Sequence, residues 1–277
     1  MASVTGARQR QGVTFRWVMA VGIVLVFLIP LLYVINISLE TPAEFTASPL
    51  SIALHPQFRN FTSAWTTGDF GPQLLNTTLY SVVAGGLATM LSLFIAFPLA
   101  RGLVRVSEGI YRLLLVGFFL PIAIIPLFIE AKALDLYNNR IGYILLHVEP
   151  AIPLGVIVLT SVIRTLPLEM DEAAQIDGCP YWKYLWSVVT PLCAPGMVVT
   201  FLWSLLGVWN DIIGPVVFLN SPGLFPVARG IFAFEGDHLT AWTLLTAGLV
   251  IVALPVVILF LIVQRRIIRA SIGGAIK

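Results

Sequence analysis

Charged residues are scarce in this 277-residue chain. Asp, Glu, Lys and Arg together make up 11% of it, whereas hydrophobic residues make up 58%. A soluble domain carries about 25% charged residues, because its surface must be hydrated. The composition therefore argues against a soluble enzyme, a nucleic-acid-binding protein and a disordered segment, and we expect no nucleic-acid partner.

Cysteine and histidine are also scarce. Cys179 and Cys193 have neither the number nor the spacing of a disulfide framework or a zinc site. The three histidines (His55, His147 and His238) lie far apart and form no local metal motif. No Gly-Lys pair occurs, so the chain lacks a phosphate-binding P-loop. We therefore expect no catalytic residues, no metal and no cofactor bound by this chain.

Long stretches almost free of charge are abundant instead. A helix needs roughly 20 apolar residues to cross the ~30 Å hydrocarbon layer of a membrane. The sequence predicts an all-α polytopic membrane protein with six transmembrane helices, at residues 17–39, 74–100, 113–129, 141–163, 196–219 and 238–264. The first stretch has 23 residues, which is longer than the apolar core of a signal peptide, so we predict an uncleaved helix.

The positive charges predict the orientation. Twelve of the 16 Lys and Arg residues fall in the N-terminus, the 101–112 and 164–196 loops and the C-terminus. Positive residues are retained on the cytoplasmic side of the membrane. We therefore expect a multi-pass protein of the cell (inner) membrane with both termini cytoplasmic, in which segments 1–16 and 265–277 flank a transmembrane domain over 17–264.

The cytoplasmic loop at 164–196 has the sequence of two short helices. Pro167 suits a first helical turn, and acids that favour the positive end of the helix dipole follow it. Gly178 is placed to adopt the left-handed conformation that ends a helix, Pro180 to start a second helix, and Pro191 to end it. The first helix is either a docking element for another protein or a solvated surface helix, and this pattern leaves both open.

The run Glu172-Ala173-Ala174-Gln175-Ile176-Asp177-Gly178, followed by Val188 and Pro191, resembles the EAA loop of ABC importer permeases. Val188 stands where isoleucine is usual, and Cys179 where alanine is frequent. Thr190 stands where leucine is usual, which weakens an apolar packing position.

Further landmarks, in the expected order, resemble permeases of the maltose-transporter type. They are Pro30-Leu31-Leu32 through Ser38-Leu39-Glu40-Thr41, Phe97-Pro98-Leu99-Ala100-Arg101, Trp209-Asn210-Asp211, Gln264-Arg265-Arg266 and Gly274-Ala275-Ile276-Lys277. The resemblance implies the type I ABC importer permease architecture. It also implies one subunit of a carbohydrate importer, assembled with a second related permease as a heterodimer, two ABC ATPases that bind ATP and Mg²⁺, and an extracytoplasmic binding protein.

The resemblance further implies roles for individual residues. Glu172 would pair with a basic residue of the ATPase, Ala173 and Ala174 would pack in its cleft, and Gly178 would allow a sharp turn. The full set expected at this coupling site is Glu172, Ala173, Ala174, Asp177, Gly178 and Pro191. The last residues, Gly274, Ala275, Ile276 and Lys277, would also contact the ATPases. The 220–240 loop would contact the binding protein through Arg229, Glu235 and Asp237.

Acidic residues within the predicted spans are the remaining candidates. A charge at mid-membrane costs ~2.5–3.5 kcal/mol on insertion scales. Asp211, near the middle of the fifth span, either packs against a neighbouring helix or lines the substrate path with Trp209 and Asn210. Glu149 lies either on the substrate path or at the outer surface, and we expect His147 to face the outer headgroups.

Three other classes of protein compete with this interpretation. The main alternative is an ion-coupled secondary transporter of a small polar solute, which would use Asp211 or Glu149 and need no partner at the 164–196 loop. A membrane enzyme would need clustered histidines or carboxylates, which the sequence lacks. A membrane scaffold has only the docking loop in its favour.

Overall fold

Helices account for nearly the whole of the described chain. The computed structural model describes residues 3–236 and 240–275, with side chains over 16–236 and 240–264. Within these residues, the one extended pairing is an isolated antiparallel bridge between Glu235 and Thr240. The predicted all-α polytopic fold is confirmed. In chain order the α-helices are α1 Ser3–Ser38, α2 Pro42–Ala47, α3 Arg59–Thr67, α4 Phe70–Ala100, α5 Ser107–Phe118, α6 Ile124–Ala133, α7 Arg140–Val148, α8 Ile152–Arg164, α9 Glu169–Ile176, α10 Tyr181–Tyr184, α11 Thr190–Trp209, α12 Ile213–Phe218, α13 Val227–Gly230 and α14 Trp242–Ala275.

Five helical stretches in the described residues are long and apolar enough to cross a membrane. They are Arg16–Ser38, Phe70–Ala100, Arg140–Arg164, Tyr181–Trp209 and Trp242–Gln264. The stretch predicted at 113–129 instead falls on two shorter helices, α5 and α6, with non-helical residues between them. Pro121 lies in this gap, where it has no N–H to donate and disfavours the helical conformation of the residue before it. The count of six membrane crossings therefore stays a prediction.

The predicted fifth span, 196–219, is wrong at both ends. α10 continues through a π-helical turn, Leu185–Val189, into α11, so the helix runs through Pro191 instead of ending there. Pro191 lies in the first turn of α11, where a missing N–H is tolerated. Thr190 contributes to this turn, since both its N–H and its hydroxyl donate to the carbonyl oxygen of Leu185. At the other end, α11 stops at Trp209.

By its internal packing the chain forms two compact units. The first comprises described residues within 3–68 and 231–254. In it, Asn60 donates to the carbonyl oxygens of Ser38 and Glu40, at 3.0 and 2.8 Å. Thr41 and Glu44 form a capping box at the start of α2, and the hydrogen bonds from Thr41 lower the pKa of the Glu44 carboxyl. The segment after α1 is thus folded against the end of that helix.

The second unit comprises residues within 69–230 and 255–275, and its centre is the packing of α4, α8 and α11. Small residues let these helices approach closely, as is common between membrane helices. Gly155 on α8 is the tightest of these contacts: a Cβ atom there would lie 2.3 Å from the hydroxyl of Ser92 and 2.7 Å from a methyl of Thr200. The core beside it is built from buried apolar residues: Leu93, Ala96, Phe97, Val156, Leu159, Ile163, Leu185, Val189 and Cys193.

We predict that Gly155→Ala destabilises the protein, because the added methyl forces α4 and α11 away from α8. Overpacking of a well-filled core costs about 1–3 kcal/mol. Thermal unfolding in detergent micelles checks this. Gly86→Ala is the matched control, since nothing lies within 4 Å of its added Cβ atom. Equal melting temperatures for the two variants would contradict the prediction.

Candidate functional site

The first predicted helix of the 164–196 loop is present as α9. It begins at Glu169, two residues after Pro167, with Asp171 and Glu172 also in its opening turn. Its end has the hydrogen bonds of a Schellman motif: the N–H of Gly178 donates to Gln175 at 3.1 Å and that of Cys179 to Ala174 at 2.9 Å. Gly178 has φ +65°, which confirms the predicted left-handed conformation.

α9 presents an acidic and partly apolar surface to its surroundings. Glu172, Ala173 and Asp177 are exposed, whereas Ala174 is half-buried and packs against the core of its own unit. The two alanines therefore point in different directions, and Ala173 alone is open to close approach from outside. Ile176, which the sequence analysis did not single out, is 87% exposed. An exposed isoleucine beside a carboxylate gives this helix both an apolar and a charged contact point.

The inner face of α9 is held by a cluster that the sequence analysis missed. The guanidinium of Arg101, just after α4, forms an ion pair with Asp171 at 2.6 Å and donates to the carbonyl oxygen of Leu166 at 3.2 Å. The hydroxyl of Tyr184 on α10 donates to the other carboxylate oxygen of Asp171. The Arg101 and Asp171 side chains are 6% and 16% exposed. Arg101 did stand out in the sequence as part of Phe97-Pro98-Leu99-Ala100-Arg101, but a partner 70 residues away leaves no local signal.

The second helix of the loop packs on α4 through aromatic rings. Phe94 contacts the rings of Trp182 and Trp186 edge-on, with centroids 5.7 Å apart in both pairs. Phe97 makes similar contacts with Tyr181 and Tyr184, at 5.6 and 6.1 Å. Such pairs are worth about 0.5–1.5 kcal/mol beyond their buried area. The loop is therefore joined to the ends of α4 and α11.

Asp211 lies in the turn between α11 and α12, which corrects its predicted place in mid-helix. One carboxylate oxygen accepts from the N–H of Gly214 at 2.8 Å, near the start of α12. The other accepts from the Tyr143 hydroxyl at 3.0 Å and lies 3.1 Å from the Nε2 atom of His147. His147 therefore faces Asp211, with its side chain 11% exposed, rather than the outer headgroups as predicted. These contacts give Asp211 a packing role, and the same side chain also lines a cavity, so the structure is compatible with the substrate-path interpretation as well.

Two cavities adjoin the predicted substrate-path residues. One, of about 340 Å³, is lined by Asp211 and His147 together with Trp203 and the buried Ser204. The other, of about 1050 Å³, has the exposed Glu149 in its wall. Glu149 lies in the 3₁₀ turn Glu149–Ala151 that joins α7 to α8, within the stretch Arg140–Arg164 rather than at its outer end. Trp209 is buried and Asn210 is exposed.

The remaining candidates lie elsewhere. Arg229 is half-buried on α13, with its guanidinium 5.3 Å from the ring centre of Phe225. Glu235 is exposed, and its backbone forms the isolated antiparallel bridge with Thr240. Gly274 and Ala275 end α14. Asp237, Ile276 and Lys277 lie outside the described residues.

Comparison with known proteins defines the class. Residues 88–271 match the family described as "Binding-protein-dependent transport system inner membrane component". The chain is 32% identical to the diacetylchitobiose uptake system permease protein NgcG of Streptomyces coelicolor, over 91% of this chain and 85% of that protein. It is 28% identical to the sulfoquinovosyl glycerol transport system permease protein SmoH of Agrobacterium fabrum, over 90% of this chain and 89% of that protein.

A solved structure has the same fold. It is a crystal structure of a bacterial ABC transporter involved in the import of the acidic polysaccharide alginate. One chain of that structure matches this protein with a TM-score of 0.79. The match covers 94% of this chain and 97% of that chain at 20% identity.

The chain therefore belongs to the inner-membrane components of binding-protein-dependent transport systems. It is a multi-pass membrane permease subunit, a transport component rather than an enzyme. The predicted resemblance to importer permeases, the fold class and the membrane localisation are confirmed. The family also decides against the secondary-transporter alternative.

We predict that Asp211→Ala destabilises the protein strongly, because it removes the cap at Gly214 and leaves His147 and Tyr143 without their carboxylate partner. Leaving a buried polar group without its hydrogen-bond partner costs about 1–3 kcal/mol. Asp211→Asn, which keeps an oxygen for Gly214, is expected to lose less. Thermal unfolding in detergent measures both, with Asn210→Ala at the exposed neighbouring position as control. A melting temperature unchanged in Asp211→Ala would contradict the packing role.

Proposed function

We propose that this chain is one of two related permease subunits of an ATP-driven carbohydrate importer. Two separate ABC ATPases bind ATP and Mg²⁺ and engage the 164–196 loop, and an extracytoplasmic binding protein delivers the substrate. The observation that carries the proposal is α9, which presents Glu172 and Ala173 to its surroundings in a chain of the binding-protein-dependent family. The proposal includes six spans and cytoplasmic termini.

The coupling contact follows from the exposed surface of α9. Glu172 offers a carboxylate to a basic residue of the ATPase, and Ala173 beside it allows close backbone approach. Ile176 adds an apolar contact that an ATPase cleft would cover. Gly178 and Asp177 form the turn that ends α9, while Ala174 and Pro191 position the loop on its own unit. The C-terminal residues 274–277 supply a second contact with the ATPases.

Carbohydrate as the substrate class is supported by what the relatives transport. The names of the two curated relatives specify diacetylchitobiose and sulfoquinovosyl glycerol, and the solved importer carries alginate. All three contain sugar rings. On this chain, we place Glu149, Trp209, Asn210 and Asp211 along the substrate path, and Arg229, Glu235 and Asp237 at the binding-protein contact. Glu149 and Asp211 are supported by the cavities that they line.

We predict that Glu172→Ala abolishes ATP hydrolysis stimulated by the loaded binding protein, while the subunit still inserts into the membrane. The reason is that the exposed Glu172 carboxylate contributes little to the stability of its own chain, whereas the proposed ATPase contact requires it. The measurement is ATPase activity of the whole complex in lipid vesicles. Glu169→Ala, which removes an exposed acid from the first turn of the same helix, is the control. Stimulated hydrolysis that survives in Glu172→Ala would overturn the coupling role.

The substrate class is tested on the cognate binding protein. We expect an oligosaccharide to raise its melting temperature, because a ligand that binds only the folded state stabilises it by mass action. Diacetylchitobiose, an alginate oligosaccharide and sulfoquinovosyl glycerol are the first probes, with an amino acid and a short peptide as controls. Stabilisation by the controls and by no sugar would contradict a carbohydrate importer.

A further inference from the structure

We propose that Arg101 and Asp171 form a positioning pair that carries movement of α9 into the membrane helices. This proposal rests on the proposed function, since it presupposes an ATPase that moves α9. Neither residue needs to touch the ATPase or the substrate. Their role is to make α9, the end of α4 and the end of α10 move together.

The first argument is how little else fastens α9. Of its eight residues, Glu169, Glu172, Ala173, Gln175 and Ile176 are exposed. Met170, Asp171 and Ala174 are the three that are not, and Asp171 is the polar one among them. Ala174 packs on the core through a single methyl group. Within α9 itself, the polar contact that resists a lateral force is therefore the carboxylate of Asp171, while Leu166 and Cys179 on either side of the helix pack on the same core as Ala174.

The second argument is the set of elements that the Asp171 carboxylate contacts. One of its oxygens contacts Arg101, which directly follows the 31-residue helix α4. The other accepts from Tyr184, whose helix continues through the π-helical turn into α11. Arg101 also holds the carbonyl oxygen of Leu166, in the segment that connects α8 to α9. The Asp171 carboxylate thus links α9 to the end of α4 and to α10, and Arg101 adds a contact with the segment that follows α8.

The third argument is burial. Ion pairs on a surface are loosened by water and salt, whereas buried pairs hold one geometry. The Arg101 side chain is 6% exposed, and its Nε atom lies 2.6 Å from Asp171 as an ion pair without hydrogen-bond geometry, while Nη1 donates to the carbonyl oxygen of Leu166. Nearby, Glu108 contacts Arg112 at 3.2 Å and Arg164 at 3.8 Å, but the Glu108 side chain is 62% exposed. The Glu108 pairs are thus a natural comparison: charged contacts near the same loop that lack the rigidity to transmit a displacement.

The experiment follows movement in the membrane domain without needing the substrate. The whole complex is prepared in lipid nanodiscs with Leu145→Cys as reporter, in the wall of the larger cavity, and with the half-buried Cys179 changed to Ser. A thiol reagent labels the reporter with and without AMP-PNP and Mg²⁺, and mass spectrometry of this subunit gives the labelling rate. With Arg101 and Asp171 intact, we expect the nucleotide to change that rate.

The informative variant is the double substitution Arg101→Met and Asp171→Leu. Removing one partner leaves an unpaired buried charge, whereas replacing both with apolar residues preserves folding. We expect the double variant to co-purify with the ATPases and bind AMP-PNP, while the labelling rate loses its response to nucleotide. Tyr184→Phe, which keeps the ion pair, should retain part of the response, and Glu108→Gln should retain all of it.

The outcomes separate the two proposals. A merely stabilising pair would lower the amount of complex but leave the nucleotide response of each assembled complex intact. A full response in the double variant therefore overturns the positioning role and leaves the proposed function standing. If the double variant does not assemble, Asp171→Asn decides, because it keeps the size of the side chain but removes its charge from the pair with Arg101, and a full response there overturns the proposal. Failure of the chain with Arg101 and Asp171 intact to co-purify with any ATPase overturns both.

Discussion

Backbone hydrogen bonding in hydrocarbon is the constraint on which this structure depends. Lipid offers no donor or acceptor, so each N–H and C=O group inside the membrane must find a partner within the protein. Long helices satisfy this rule automatically, and a break needs a local substitute. At the end of α11, the carboxylate of Asp211 accepts from Gly214. In the 164–196 loop, at the π-helical turn before α11, the hydroxyl of Thr190 adds a second donor to the carbonyl oxygen of Leu185, which already accepts the N–H of Thr190. Polar side chains are thus found where the helices are interrupted.

The same constraint explains why small and polar residues meet at the centre of the second unit. Apolar side chains gain little by leaving lipid for a helix interface, so association relies on close packing and hydrogen bonds. Gly155 brings its helix against Ser92 and Thr200. Asp211, His147 and Tyr143 join the end of α11 to α7. A tightly packed body of this kind can transmit a displacement because it deforms little.

Features that depend on near neighbours could be predicted from the sequence, and those that depend on distant ones could not. The left-handed Gly178 and the acidic start of α9 follow from a few consecutive residues, and both are confirmed. The ion pair of Arg101 with Asp171 joins residues 70 positions apart and had no local signal. The prediction that Pro191 ends a helix was wrong, because the helix continues past it from the π-helical turn Leu185–Val189 into α11, and no local signal indicated that turn. The resemblance of the 164–196 loop to the EAA pattern rests on particular residues at fixed spacing. Hydrophobic periodicity could not have indicated it.

The outer and inner faces of α9 have different properties and different proposed roles. Its outer face is chemically simple: a carboxylate at Glu172, a methyl at Ala173 and an exposed isoleucine at Ile176. A partner protein can bind such a surface and dissociate from it, because each contact is modest and none requires α9 to unfold. Its inner face is held by a buried ion pair, which is costly to form incompletely and therefore favours one geometry. The proposed function requires this asymmetry, since the ATPases would release the outer face of α9 while the membrane domain keeps its contacts with the inner face.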